Sequence, residues 1–115
     1  PYQVIRTSYL YLTSSDGEEG WSAPKLLNLK TDKEMAYLVS PGRGIVTGDG
    51  TIVFPTYSYK GNEETQRMDF IYSNDDGETW KRAETMGTPN QWSSESAVVE
   101  LYDFSSETGR NIFAM

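Results

Sequence analysis

Short runs of alternating apolar and polar residues, broken by Gly, Asn, Asp and Pro, fill most of this chain. That period-two pattern predicts β-strands. Residues 9–13 read as a strand, followed by a turn and a short partner at 25–27. Residues 28–41 read as a polar connection with one helical turn near 32–35. Residues 44–47 and 51–56 predict a hairpin through Gly48-Asp49-Gly50, where glycine supplies the backbone angles a tight turn needs. Residues 68–73 and 81–84 make the next pair. After a loop around Pro89, residues 96–101 and 111–115 complete the series.

One turn is written twice. Ser73-Asn74-Asp75-Asp76-Gly77-Glu78-Thr79-Trp80 has a looser copy in Ser14-Ser15-Asp16-Gly17-Glu18-Glu19-Gly20-Trp21. Ser and Asp side chains accept hydrogen bonds from nearby backbone N–H groups, and Trp can fold back over the turn. Ser14, Asp16 and Trp21, with Ser73, Asp75, Gly77 and Trp80, are therefore read as structural. A calcium loop is excluded: with Gly77 at the sixth place of an EF-hand, Tyr72 and Ala83 occupy the first and twelfth positions, which require carboxylates. No metal or cofactor is expected.

A repeated supersecondary unit buries its apolar face only against its neighbours. Four strands to a unit make residues 43–84 a full unit, residues 1–27 the outer strands of the preceding one, and residues 94–115 the inner strands of the next. The expected fold is all-β, a portion of a β-propeller. A small, complete β-sandwich is the alternative.

Composition narrows the function. Aromatic residues make up 13% of the 115 residues, which suits a β-rich fold. Seventeen acids against ten bases give a net charge of −7, which argues against nucleic acid or an anionic membrane as partner. With no Cys and no His, thiolate sites and histidine acid–base chemistry are excluded within this stretch. No apolar run reaches membrane-spanning length.

Connectivity locates the candidate chemistry. Successive turns of an up-and-down unit alternate between two ends of the sheet. Both repeated turns then share an end with Gly48-Asp49-Gly50, and the opposite end collects Arg43, Tyr57, Tyr59 and Glu95. Glu95 opens an innermost strand, where a carboxylate is expected to be partly desolvated; its other reading is a strand-end cap. Tyr57 and Tyr59 suit the polar and apolar sides of a sugar, or else simply pack in the strand. Arg43 can bind an anion, and Trp92 reads as a loop anchor. Glu95 and Glu100 are five apart and point to opposite sides of their strand, so they do not form a carboxylate pair.

Together these features resemble the sialidase (neuraminidase) family, especially its secreted bacterial members. The two turns resemble its Asp-boxes. Pro55-Thr56-Tyr57-Ser58-Tyr59 resembles its Pro-x-Tyr-x-Tyr stretch, and residues 95–101 its Glu-x-x-Val-x-Glu segment. The resemblance implies a six-bladed propeller that removes terminal sialic acid from glycans with retention of configuration. It implies a Tyr nucleophile activated by a Glu, to which Glu95 corresponds, with Tyr57 and Tyr59 contacting substrate. The family's first arginine and acid/base Asp fall before this stretch, and its nucleophilic Tyr and further arginines after it. The 115 residues alone are therefore expected to be inactive. The resemblance also implies a secreted or cell-surface protein, sialylated glycans as substrate, and the rest of the propeller as structural partner. A non-catalytic propeller that binds glycans or proteins is the competing function.

Overall fold

The computed structural model describes residues 10–15, 20–32, 34, 36–59, 66–83, 95–102 and 110–114. The described residues form nine strands and no helix: β1 (Leu10–Leu12), β2 (Lys25–Leu27), β3 (Ala36–Val39), β4 (Ile45–Val46), β5 (Ile52–Tyr59), β6 (Arg67–Ser73), β7 (Lys81–Arg82), β8 (Val98–Tyr102) and β9 (Arg110–Ala114). They make three sheets. β1 pairs with β2 and β8 with β9, while the central sheet runs β3-β5-β6-β7 with β4 also paired to β5. Every pairing is antiparallel.

β5 forms because Ile-Val-Phe-Pro-Thr-Tyr-Ser-Tyr is rich in β-branched and aromatic residues that fill a pleated surface. Its two faces are covered by different neighbours. Phe54, Thr56 and Ser58 share a face with their cross-strand partners Ile71, Asp69 and Tyr37. There Tyr37 and Ile71 are buried with Leu10 and Leu27 of the β1–β2 pair, and Leu12, Leu29, Phe54 and Trp80 pack around them. Val53 points to the other face and is fully buried; on that side β8 lies against β4 and β5. The central sheet is thus sandwiched between its sequence neighbours, as a stack of repeated units requires.

The inner edge departs from the sequence reading. Residues 28–41, expected as a polar connection, contain β3, whose Ala36 and Val39 pair with Tyr59 and Thr56. The sheet therefore begins before residue 43. β3 and β4 form one interrupted edge: Ser40 N–H still donates to Pro55 O at 2.9 Å, and pairing resumes at Ile45 with Val53. Residues 41–44 bulge out between them. The bulge explains how Pro55 sits in a central strand. Its nitrogen faces the interruption, where no ladder donor is needed. Gly44 is required there, because a Cβ would lie 2.5 Å from the Phe54 ring.

Tyr9, Asp16, Lys33, Met35, Pro89, Trp92 and Met115 lie outside the described residues, so the expectations placed on them, including Asp16 in the first repeated turn, stay at the sequence level.

Candidate active site

The register fixes which end of the sheet each candidate occupies. Ile52 pairs with Ser73, so the Ser73–Trp80 turn leaves the sheet beside the β4–β5 turn. Asn74 Nδ2 donates to Thr51 Oγ1 at 3.0 Å, joining the two. Tyr57 and Tyr59 lie at the opposite end of β5, paired with Met68 and Ala36 respectively. Both phenols are half-buried.

Glu95 comes from the neighbouring unit. Ser96 N–H donates to Ser40 Oγ at 2.6 Å, level with Pro55, whereas Glu100 at the far part of β8 accepts the Gly48 N–H. The chain from Ser96 to Glu100 therefore runs alongside the edge from Ser40 to Gly48 in the same direction. Glu95, one residue before Ser96, extends toward the Tyr57 end and away from the repeated turns.

Glu95 is exposed in this stretch, one residue before the Ser96 contact. One expectation is corrected. Arg43 does not reach the Tyr59 end. It lies in the bulge, level with Phe54 and Pro55, because the inner edge starts earlier than expected and residue 43 falls midway along it. Its side chain is exposed.

The Ser73–Trp80 turn is held by its own side chains. Ser73 Oγ donates to Asp75 Oδ1 at 2.8 Å and accepts the Gly77 N–H at 2.9 Å. Asp75 also accepts the Thr79 N–H at 2.8 Å and the Thr79 hydroxyl. Those bonds from Thr79 and Ser73 hold the Asp75 carboxyl down to about 2, below the usual range. Gly77 takes φ 87°, and Trp80 Nε1 donates to Gly77 O at 3.0 Å, tilting its ring against Phe54 at 5.8 Å. In the first copy Ser15 bridges Trp21, and Ser22 N–H donates to Ser14 O at 2.7 Å. Trp21 remains 74% exposed. A cavity of about 470 Å³ opens between the two turns, with Leu12, Phe54 and Trp80 in its lining. It sits at the turn end, remote from Glu95, and Lys25 Nζ of β2 reaches the second turn by donating to Glu78 O at 2.8 Å.

Sequence reasoning missed a buried polar network. Asp69, wholly buried, accepts from the Tyr37 and Thr56 hydroxyls and from Arg82 Nε at 2.7 Å. Arg82 also forks onto Glu34 at 2.8 and 2.7 Å and lies 4.0 Å over the Tyr37 ring. Burial works against the charge on Arg82, but Glu34 and Asp69 outweigh it and raise its pKa. Burial, then the Asp69 carboxylate, push the Tyr37 phenol far above its ordinary range. Burial also opposes ionised Glu34, yet Arg82 and the Thr31 N–H hold its carboxyl below the usual value. The signal in the sequence was a lone acid in the apolar run Met68-Asp69-Phe70-Ile71.

Residues 4–104 match the family of BNR repeat-like domains. A sialidase of Clostridium perfringens is 45% identical over 71 residues, covering 58% of this chain and 18% of its own length. A sialidase of Paraclostridium sordellii is 37% identical over 101 residues, covering 76% of this chain and 24% of its own length. Among solved structures, Hadza microbial sialidase Hz136 superposes with a TM-score of 0.69 at 23% identity, over 98% of this chain and 25% of that one. The chain thus spans about a quarter or less of these relatives, and its fold is part of a β-propeller.

Proposed function

The chain belongs to the BNR repeat-like family and, within it, to the sialidases; from that membership we propose that it forms one side of the active site of a retaining exo-sialidase. The complete protein hydrolyses terminal α-linked sialic acid from glycoconjugates. Glu95 acts as general base toward a tyrosine nucleophile elsewhere in the propeller, and Tyr57 and Tyr59 line the bound sugar. Exposure on the outside of the cell, where sialylated glycans are displayed, is part of the same proposal.

The observation that supports this reading is that Tyr57 lies at the end of β5 away from the Ser73–Trp80 turn and that Glu95 directly precedes the Ser96–Ser40 contact on the neighbouring sheet. A tyrosine nucleophile makes physical sense here. A neutral phenol avoids the repulsion that a carboxylate attacking beside the substrate's own carboxylate would meet, provided a nearby base takes its proton in the transition state.

The test is Glu95→Gln in the full-length protein with a fluorogenic sialoside. The turnover number is expected to fall by about 10²–10⁴-fold, the usual worth of a positioned base, with KM little changed. An unchanged turnover number removes Glu95 from the mechanism, and absence of any turnover in the parent protein favours a glycan- or protein-binding scaffold.

A further inference from the structure

We propose that Ser40 and Gly42 form a seat between neighbouring blades that fixes where Glu95 stands, making Ser40 a positioning residue for the reaction; this rests on the assignment of Glu95 as base. Tyr57 and Glu95 belong to different sheets, so no strand ladder sets their relative position. Ser40 supplies that link. Its N–H donates to Pro55 O at 2.9 Å, tying it to β5 just before Thr56 and Tyr57. Its Oγ accepts the Ser96 N–H at 2.6 Å and the Ser96 hydroxyl at 3.4 Å. Both serines are buried, 3% and 7% exposed, so water competes little for these bonds. Glu95 is the next residue along the chain.

Gly42 provides a second, independent observation. A Cβ at this position would lie 2.8 Å from Ser96 O, and the backbone beside Glu95 approaches this closely only because residue 42 has no side chain. The far part of β8 is held separately, with the Glu100 carboxylate accepting the Gly48 N–H at 3.0 and 3.2 Å. Of these two attachments, only the one at Ser40 adjoins Glu95.

Ser40→Ala deletes the acceptor, Gly42→Ala forces Ser96 outward, and Glu100→Ala releases the other end of β8. Each variant is made in the full-length protein and assayed with a fluorogenic sialoside, alongside its thermal midpoint. A misplacement of roughly 1 Å costs up to about 10²-fold in rate, so Ser40→Ala and Gly42→Ala are expected to lose about tenfold or more in kcat, with KM little changed. Glu100→Ala is expected to lower the midpoint while keeping kcat, and Ser40→Thr, which retains the hydroxyl, to keep most of the turnover. Parental kcat in Ser40→Ala and Gly42→Ala overturns the proposal, as does an equal loss in Glu100→Ala, which would mark general loosening. Should Ser40→Ala fail to fold, Gly42→Ala and Ser40→Thr decide. Glu95→Gln separates the two levels: if it leaves kcat intact the base assignment falls, whereas if only it lowers kcat the seat alone falls.

Discussion

Replacing Asp69 with Ala removes an acceptor shared by three other strands. One carboxylate oxygen receives the hydroxyls of Tyr37 on β3 and Thr56 on β5, and the other receives Arg82 Nε on β7. After the substitution Arg82 keeps its fork onto Glu34, so its charge is not stranded. Tyr37 and Thr56, 2.8 Å apart, can satisfy one another once, which leaves one buried hydroxyl proton with no acceptor. The charge-assisted bond to Arg82 is worth about 1.5–3 kcal/mol and the stranded proton costs about 1–3 kcal/mol. A loss of about 3–5 kcal/mol follows from these two contributions. Equilibrium urea unfolding, followed by tryptophan fluorescence, measures it. With a slope near 2 kcal/mol/M, the midpoint falls by about 2 M. Glu78→Ala, at an exposed position, serves as the control and should stay within about 0.5 kcal/mol. A loss below about 1 kcal/mol for Asp69→Ala, at unchanged slope, would refute the idea that this network holds the sheet together.

Acid should destabilise the protein in a defined window. Glu34, Asp49 and Asp75 all have folded-state pKa values below their ordinary ones, the last two near 2. Depressed values mean that the folded state binds protons less readily than the unfolded chain. Their stabilisation is therefore complete above about pH 5 and is lost as pH falls through about 4 toward 2. Thermal midpoints should be flat from neutral pH to that point and then drop; a midpoint that holds or rises on acidification contradicts the assignment. Gly44→Ala places a methyl 2.5 Å from the Phe54 ring. The overpacking is expected to cost about 1–3 kcal/mol in the same urea assay, and a neutral result would mean that the bulge relaxes freely.

The Ser73–Trp80 turn was legible in the sequence because its hydrogen bonds join residues within a few positions of one another, and Ser, Asp, Gly and Trp each declare their part. β5 and β6 were legible for a related reason, since period-two alternation is local. Connectivity alone also put Tyr57 and Glu95 at the end away from the turns, because antiparallel neighbours must alternate direction. β3 escaped notice because Ala36-Tyr37-Leu38-Val39 is short and preceded by the charged Asp32-Lys33-Glu34. Its apolar residues declare a strand only when Tyr37 is seen beside Ser58. Arg43 was misplaced for the same reason, since its height on the sheet depends on where that edge begins.

What the chain determines by itself is therefore the set of turns, the alternation of the longer strands and the order in which they reverse. Tertiary structure alone decided that Asp69 is the buried partner of Arg82, that Glu34 joins them, and that Ser40 receives Ser96. Those groups stand between 13 and 56 positions apart in sequence. A buried charge or hydroxyl is stable only when a partner arrives to satisfy it, and that partner comes from another strand whose distance along the chain no local pattern encodes.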